Sequence, residues 1–147
     1  MAGPGSTFPD LGPFLRWEVE SGTIVNAAFS STNVVMSGTP FSIRLDLSCS
    51  GPGCVVFGFI GPWTADVYAQ NVATGATFVV AGVPPFVWPA CVGGCNNPII
   101  LGPFATGPAA GSQFPAGIYR LTVDIDPAPP ADTAFGGFID GLVIEVE

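Results

Sequence analysis

Few residues in this chain have side chains suited to chemistry. Asp124, Asp126, Asp132 and Asp140 fall within one short stretch, and carboxylate oxygens of that kind are what Ca²⁺ takes as ligands. Their spacing matches no standard calcium loop, so surface acids around a Pro-rich turn (Pro127, Pro129, Pro130) are the stronger reading. Asp124 and Asp126 could work as acid and base only if burial separated their pKa values, and nothing nearby in sequence marks a pocket. The chain has no His and no Lys, so it lacks the commonest general base and any amine for a Schiff base. Cys91 and Cys95 have no His to activate a thiolate. No G-x-S-x-G turn presents a serine. Gly51-Pro-Gly53 is not followed by a helix pattern that would cradle a phosphate. No enzyme and no cofactor is expected from this set.

The cysteines form two close pairs, Cys49/Cys54 and Cys91/Cys95, each set among Gly or Pro. Zinc sites usually use C-x2-C with His or further Cys, so these spacings favour disulfides over free thiols or a metal. Four cysteines allow three connectivities, and spacing leaves the choice open. Disulfides would staple loops and would place the chain in an oxidising setting, outside the cell or on its surface; without them it is cytoplasmic. The N-terminus MAGPGSTFPD has no basic start or apolar core and does not read as a secretory signal.

The elements that must carry these residues are strands. Leu15, Trp17 and Val19 alternate with Arg16, Glu18 and Glu20; Phe41, Ile43, Leu45 and Leu47 alternate with Ser42, Arg44, Asp46 and Ser48. The same period of two runs through Trp63–Gln70, Tyr119–Asp126 and Leu142–Glu147. Ile24–Phe29, Val34–Met36, Val55–Phe59, Ala76–Ala81 and Pro98–Leu101 are weaker strand candidates. Twenty Gly and 16 Pro supply turns and veto long helices. At 147 residues the expectation is an all-β chain: one antiparallel β-sandwich, immunoglobulin-like or jelly-roll-like, over residues 14–147, with long Pro/Gly-rich apolar loops. Residues 1–13 read as an extended Gly/Pro-rich arm, and residues 82–116 as a long Pro-rich excursion.

The segment Phe114-Pro-Ala-Gly-Ile-Tyr119-Arg-Leu121-Thr-Val123 resembles the late strand of bacterial immunoglobulin-like modules, where a Pro-x-Gly turn feeds a strand opening on Tyr. Gly38-Thr-Pro-Phe41-Ser-Ile43-Arg-Leu45 resembles their early strand, and Gly137-Phe-Ile-Asp-Gly-Leu-Val-Ile is similar to the ends of small bacterial sandwich proteins. The resemblance implies a fold and no activity. The antibody-type Cys…Trp…Cys pin is absent.

Charge is scarce and one-sided. Charged residues are 10% of the chain, against about 25% in typical domains. The basic residues are Arg16, Arg44 and Arg120 alone, and 11 acids give a net charge of −8. That excludes a phosphate footprint for nucleic acid and argues against anionic membrane surfaces. Mean hydropathy is +0.55, yet Pro and Gly break every apolar window of ~20 residues, so no membrane insertion is expected.

Residues 67–119 contain no charged side chain, and a surface without charge points to contact with something. Trp17 and Trp63 sit on the inward phase and read as core. Phe86, Trp88, Phe104 and Phe114 either cap an open end of the sandwich or project as contacts, with Phe8 as a further contact on the arm. The expected function is a structural subunit that assembles with copies of itself into a filament, surface layer or shell. Association would run through the apolar loops and through an arm that adds to a neighbour's sheet. The alternative is an extracellular adhesion module that reads a surface glycan or protein through the aromatic loops.

Overall fold

The computed structural model describes residues 5–8, 13–58, 62–88, 94–127 and 135–147. It is all-β. Among the described residues nine strands run in chain order: β1 (Ser6–Phe8), β2 (Arg16–Val25), β3 (Val34–Val35), β4 (Phe41–Ser50), β5 (Trp63–Asn71), β6 (Thr77–Val79), β7 (Gly94–Phe104), β8 (Gly117–Pro127) and β9 (Gly136–Val146). A 3-10 helix, Pro52–Gly58, follows β4. Two sheets form. The smaller has the order β2-β4-β7, and the larger β1-β9-β8-β5-β6 with β3 beside β9.

Period-two sequence makes these strands because each buries one face. In β5, Trp63, Ala65, Val67 and Ala69 point inward while Thr64, Asp66, Tyr68 and Gln70 point out. Ile43, Leu45 and Leu47 of β4 meet Leu121, Val123 and Ile125 of β8 in one buried cluster that also takes Ile144 and Val146 of β9. Each such aliphatic side chain stabilises by roughly 1.5–3 kcal/mol relative to exposure. Trp17 of β2 packs edge-on against Trp63 of β5, ring centroids 5.5 Å apart, and so joins the two sheets. Both tryptophans are core residues, as their phase predicts.

Aromatic groups close both ends of this core. Trp17, Trp63 and Trp88 meet one another at one end, with Phe86 stacked on Trp63 at 6.4 Å. At the other end Phe114 contacts Phe41, Phe78, Phe104 and Tyr119. The Tyr119 hydroxyl donates back to the Pro115 carbonyl at 2.7 Å and pins the turn that feeds β8.

Four departures from the sequence reading have local causes. The sheets are not wholly antiparallel: Val34 and Val35 run parallel to Glu145 and Val146. β3 reaches β9 by crossing between sheets and not by a hairpin, so nothing forces the antiparallel direction. The candidate strand Val55–Phe59 is instead held in the 3-10 helix as far as Gly58. Gly51 opens that segment at φ +92, and the Gly53 N–H is drawn to the Phe14 carbonyl at 2.7 Å. The Pro-rich excursion 82–116 contains strand β7, which takes in the weaker candidate Pro98–Leu101 and runs beyond it to Gly94 and Phe104. Pro98 and Pro103 are tolerated there because β7 is paired on one side only, by β4.

The fourth departure concerns the arm. Its described part lies on its own chain: Ser6–Phe8 pairs antiparallel with Gly136–Phe138 of β9. The Gly5 N–H donates to the Val19 carbonyl at 2.8 Å and the Thr7 hydroxyl to the Trp17 carbonyl at 2.8 Å. β1 therefore bridges the edges of both sheets. Any Cβ at Gly5 would run into the Phe138 carbonyl, so glycine is required for this approach.

Candidate docking site

The sequence-derived candidates separate sharply in space. Trp88, Phe104 and Phe114 are buried, which corrects their reading as interface residues: each caps its own core. Of the uncharged stretch around them, Phe78, Trp88, Phe104 and Phe114 pack on the core, while Val72, Val79, Val87 and Ile100 stay exposed. Phe86 is half-buried on Trp63, and its backbone exchanges two hydrogen bonds with Trp63 at 2.7 and 2.9 Å. Phe8 lies in β1; its side chain is outside the described residues.

Cys49 and Cys54 form a disulfide with an S–S distance of 2.11 Å, tying the end of β4 to the 3-10 helix. Cys95 sits opposite Cys49 in the β4–β7 register, and Cys91 lies outside the described residues.

Of the calcium candidates, Asp132 also lies outside the described residues. Asp124 and Asp126 project from the outer face of β8, while the Asp140 carboxylate is occupied by Arg120 Nη2 at 2.8 Å and the Thr122 hydroxyl at 2.8 Å. These contacts hold its pKa below the ordinary value, the Thr122 bond contributing most. Among the described residues no three Asp, Glu, Cys or His side chains converge as metal ligands.

A different place stands out. After β2 the chain reverses over residues 26–30. Asn26 builds the turn: its N–H donates to the Ser30 carbonyl at 2.9 Å, and its Oδ1 accepts the Ala28 and Ser30 N–H groups at 2.9 and 3.0 Å. The Phe29 N–H donates to the Asn26 carbonyl at 2.9 Å. This closure forces Phe29 to φ +58, the left-handed region that a bulky residue rarely enters. The cost is about 1–2 kcal/mol. The Phe29 side chain nevertheless projects, 63% exposed.

Beside it lies a groove of about 470 Å³ lined by Ala27, Phe29, Pro40, Ile100 and Pro103, with Asn26 and Ser42 as its polar members. Ile100 is 40% exposed on the outer face of β7. No lining residue is charged. The nearest charges on this sheet are Arg44, opposite Ile100 in register, and Asp46; they neutralise each other at 3.0 Å. The arrangement is unsuited to acid–base or metal chemistry and suited to an apolar contact.

The sequence reading overlooked Phe29 because Ile24–Phe29 looks like one strand. Asn26, a residue that bonds its own backbone two positions on, was the available turn signal. No helix among the described residues is long and apolar enough to cross a membrane. Comparison with known protein families, curated proteins and solved structures returns no match to this chain.

Proposed function

We propose that this protein is a structural subunit that associates with copies of itself, on an immunoglobulin-like sandwich scaffold. The observation that carries the reading is an exposed, charge-free apolar groove on a chain of net charge −8. An acidic subunit meets its own copy with least repulsion where carboxylates are missing.

The immunoglobulin-like scaffold is favoured over a jelly roll by strand order. Setting aside the short β1, β3 and β6, the remaining strands take positions A, B, C, E, F and G in chain order, giving the layers A-B-E and C-F-G. The Tyr119 bond to Pro115, near the start of the strand in position F, matches the tyrosine corner of such sandwiches. The strand in position D is replaced by β6 on the edge of β5. The Cys49–Cys54 disulfide supports an oxidising location, at the cell surface or beyond it.

Sedimentation velocity over a hundredfold concentration range, with negative-stain microscopy of the concentrated sample, tests the reading. Dimers or larger ordered particles are expected. A monomer at every concentration would remove self-assembly and leave the alternative, an extracellular module for a glycan or another protein.

A further inference from the structure

We propose that Phe29 is the knob of a two-fold contact in which it enters the groove beside Ile100 and Pro103 of a second copy. This inference rests on the self-assembly reading and names the surface that performs it.

Three observations converge on it. First, Phe29 is both strained and exposed: φ +58 with 63% of its surface in water. Gly or Asn would relieve the backbone at that position, and neither would leave an aromatic ring in solvent. A residue whose backbone lowers the stability of the isolated subunit, and whose ring gains little there by burial, points to a role outside it.

Second, knob and hole belong to one patch. Phe29 forms part of the wall of its own groove, together with Ile100 and Pro103. A two-fold axis beside the groove therefore lets each copy insert its Phe29 into the other, which is the self-complementarity that an isologous contact requires. Aromatic anchors in apolar pockets are where contact energy concentrates.

Third, charge selects the partner. The groove carries no charged residue, and its neighbours Arg44 and Asp46 pair internally. The outer face of the larger sheet carries Asp66, Asp124 and Asp126 and would repel a copy. A basic partner would be drawn to that acidic face and not to the groove. An equally acidic copy is excluded from the acidic face and admitted at the groove. Contact through side chains also agrees with Pro98 and Pro103 in the open strand β7, since prolines lack the N–H that strand addition needs.

Phe29→Gly tests the inference because its two effects have opposite signs. Removing the ring and freeing the turn is expected to raise the thermal midpoint of the dilute monomer. It is also expected to weaken self-association at least about tenfold, as loss of a central aromatic anchor does. Ile100→Ser, on the receiving wall, is expected to weaken association similarly without the stability gain. In sedimentation velocity, wild-type association together with unchanged association of both variants overturns the Phe29 contact and leaves the assembly reading standing. A wild-type protein that stays monomeric overturns the assembly reading itself. A Phe29→Gly protein that is less stable than wild type overturns the argument from strain, and the Ile100→Ser result then decides whether the groove is the contact.

Discussion

Asp66 on β5 and Asp124 on β8 are direct cross-strand partners, so two carboxylates face each other on the outer surface of the larger sheet. Asp126 lies two residues further along the same face, opposite Thr64. Opposed like charges weaken a strand pair. Partial burial, and next the Asp66 charge, push the Asp124 pKa above the ordinary value. Burial, then the charges of Asp66, Asp124 and Asp126, push Tyr68 up as well.

The pair gives a pH dependence with a definite sign. The Asp124 pKa is higher folded than unfolded, so the folded chain binds that proton more readily. Stability from this site therefore rises as pH falls from neutral through the raised value. Asp140 behaves oppositely: its lowered pKa contributes stability that is lost as pH falls below the ordinary carboxylate range. Asp124→Asn is expected to raise stability at pH 7 by roughly 0.2–1 kcal/mol, and the difference should vanish in acid. Urea unfolding at pH 7 and again well below the ordinary carboxylate range checks it; an equal effect under both conditions would mean that charge is not the cause.

How much of this was legible follows from the range of each interaction. The alternation that makes β4, β5, β8 and β9 is written locally, so their inward faces could be read from period alone. Whether Trp88 or Phe114 points in or out depends on chain segments far away in sequence that cover the ends of the core, and composition carries no such information. Phe29 was hidden for the opposite reason. A residue type favoured in strands sits in a turn because one side chain, Asn26, closes the backbone around it. The β1 placement turns on one missing Cβ at Gly5, which a Gly/Pro-rich stretch does not distinguish from its neighbours.

The Cys49–Cys54 link closes a very short loop, with a sequence separation of 5. Loop-closure entropy for that length corresponds to about 2 kcal/mol. Replacing both cysteines with Ala is expected to lower unfolding stability by about that amount while leaving β4 in place, since Phe41–Leu47 is anchored by core packing and by two neighbouring strands. Guanidinium unfolding of the double variant, compared with wild type kept oxidised, measures it. A loss several times larger would show that the link holds β4 itself.

The arm supports its own subunit. Gly5→Ala forces a methyl group against the Phe138 carbonyl, and the backbone must shift out of its bond to Val19. A loss of about 1–3 kcal/mol is expected, close to that of deleting residues 1–8 outright. Thermal unfolding of the two variants tests the equivalence. If Gly5→Ala is neutral while the deletion is harmful, the approach of Gly5 to β9 is not what secures the arm.

Trp88 separates the core role of the aromatic segment from a contact role. It is fully buried, with ring centroids 6.0 Å from Trp17 and 5.6 Å from Trp63. Trp88→Ala removes the side chain on which both other tryptophans rest and opens a cavity at the end of the sandwich. Truncating a buried Trp costs about 3–5 kcal/mol, a large share of the stability of a domain this size. The expected result is a large fall in the thermal midpoint, with loss of the near-ultraviolet dichroism that closely packed indoles produce. Phe86→Ser, which removes a half-buried ring stacked on only one face of Trp63, is expected to do markedly less. The contrast with Phe29→Gly is the informative one: the segment around Trp88 should govern whether the subunit folds, and the Asn26 turn whether folded subunits meet. A Trp88→Ala protein with wild-type stability and weakened association would return that residue to the surface and reverse the assignment.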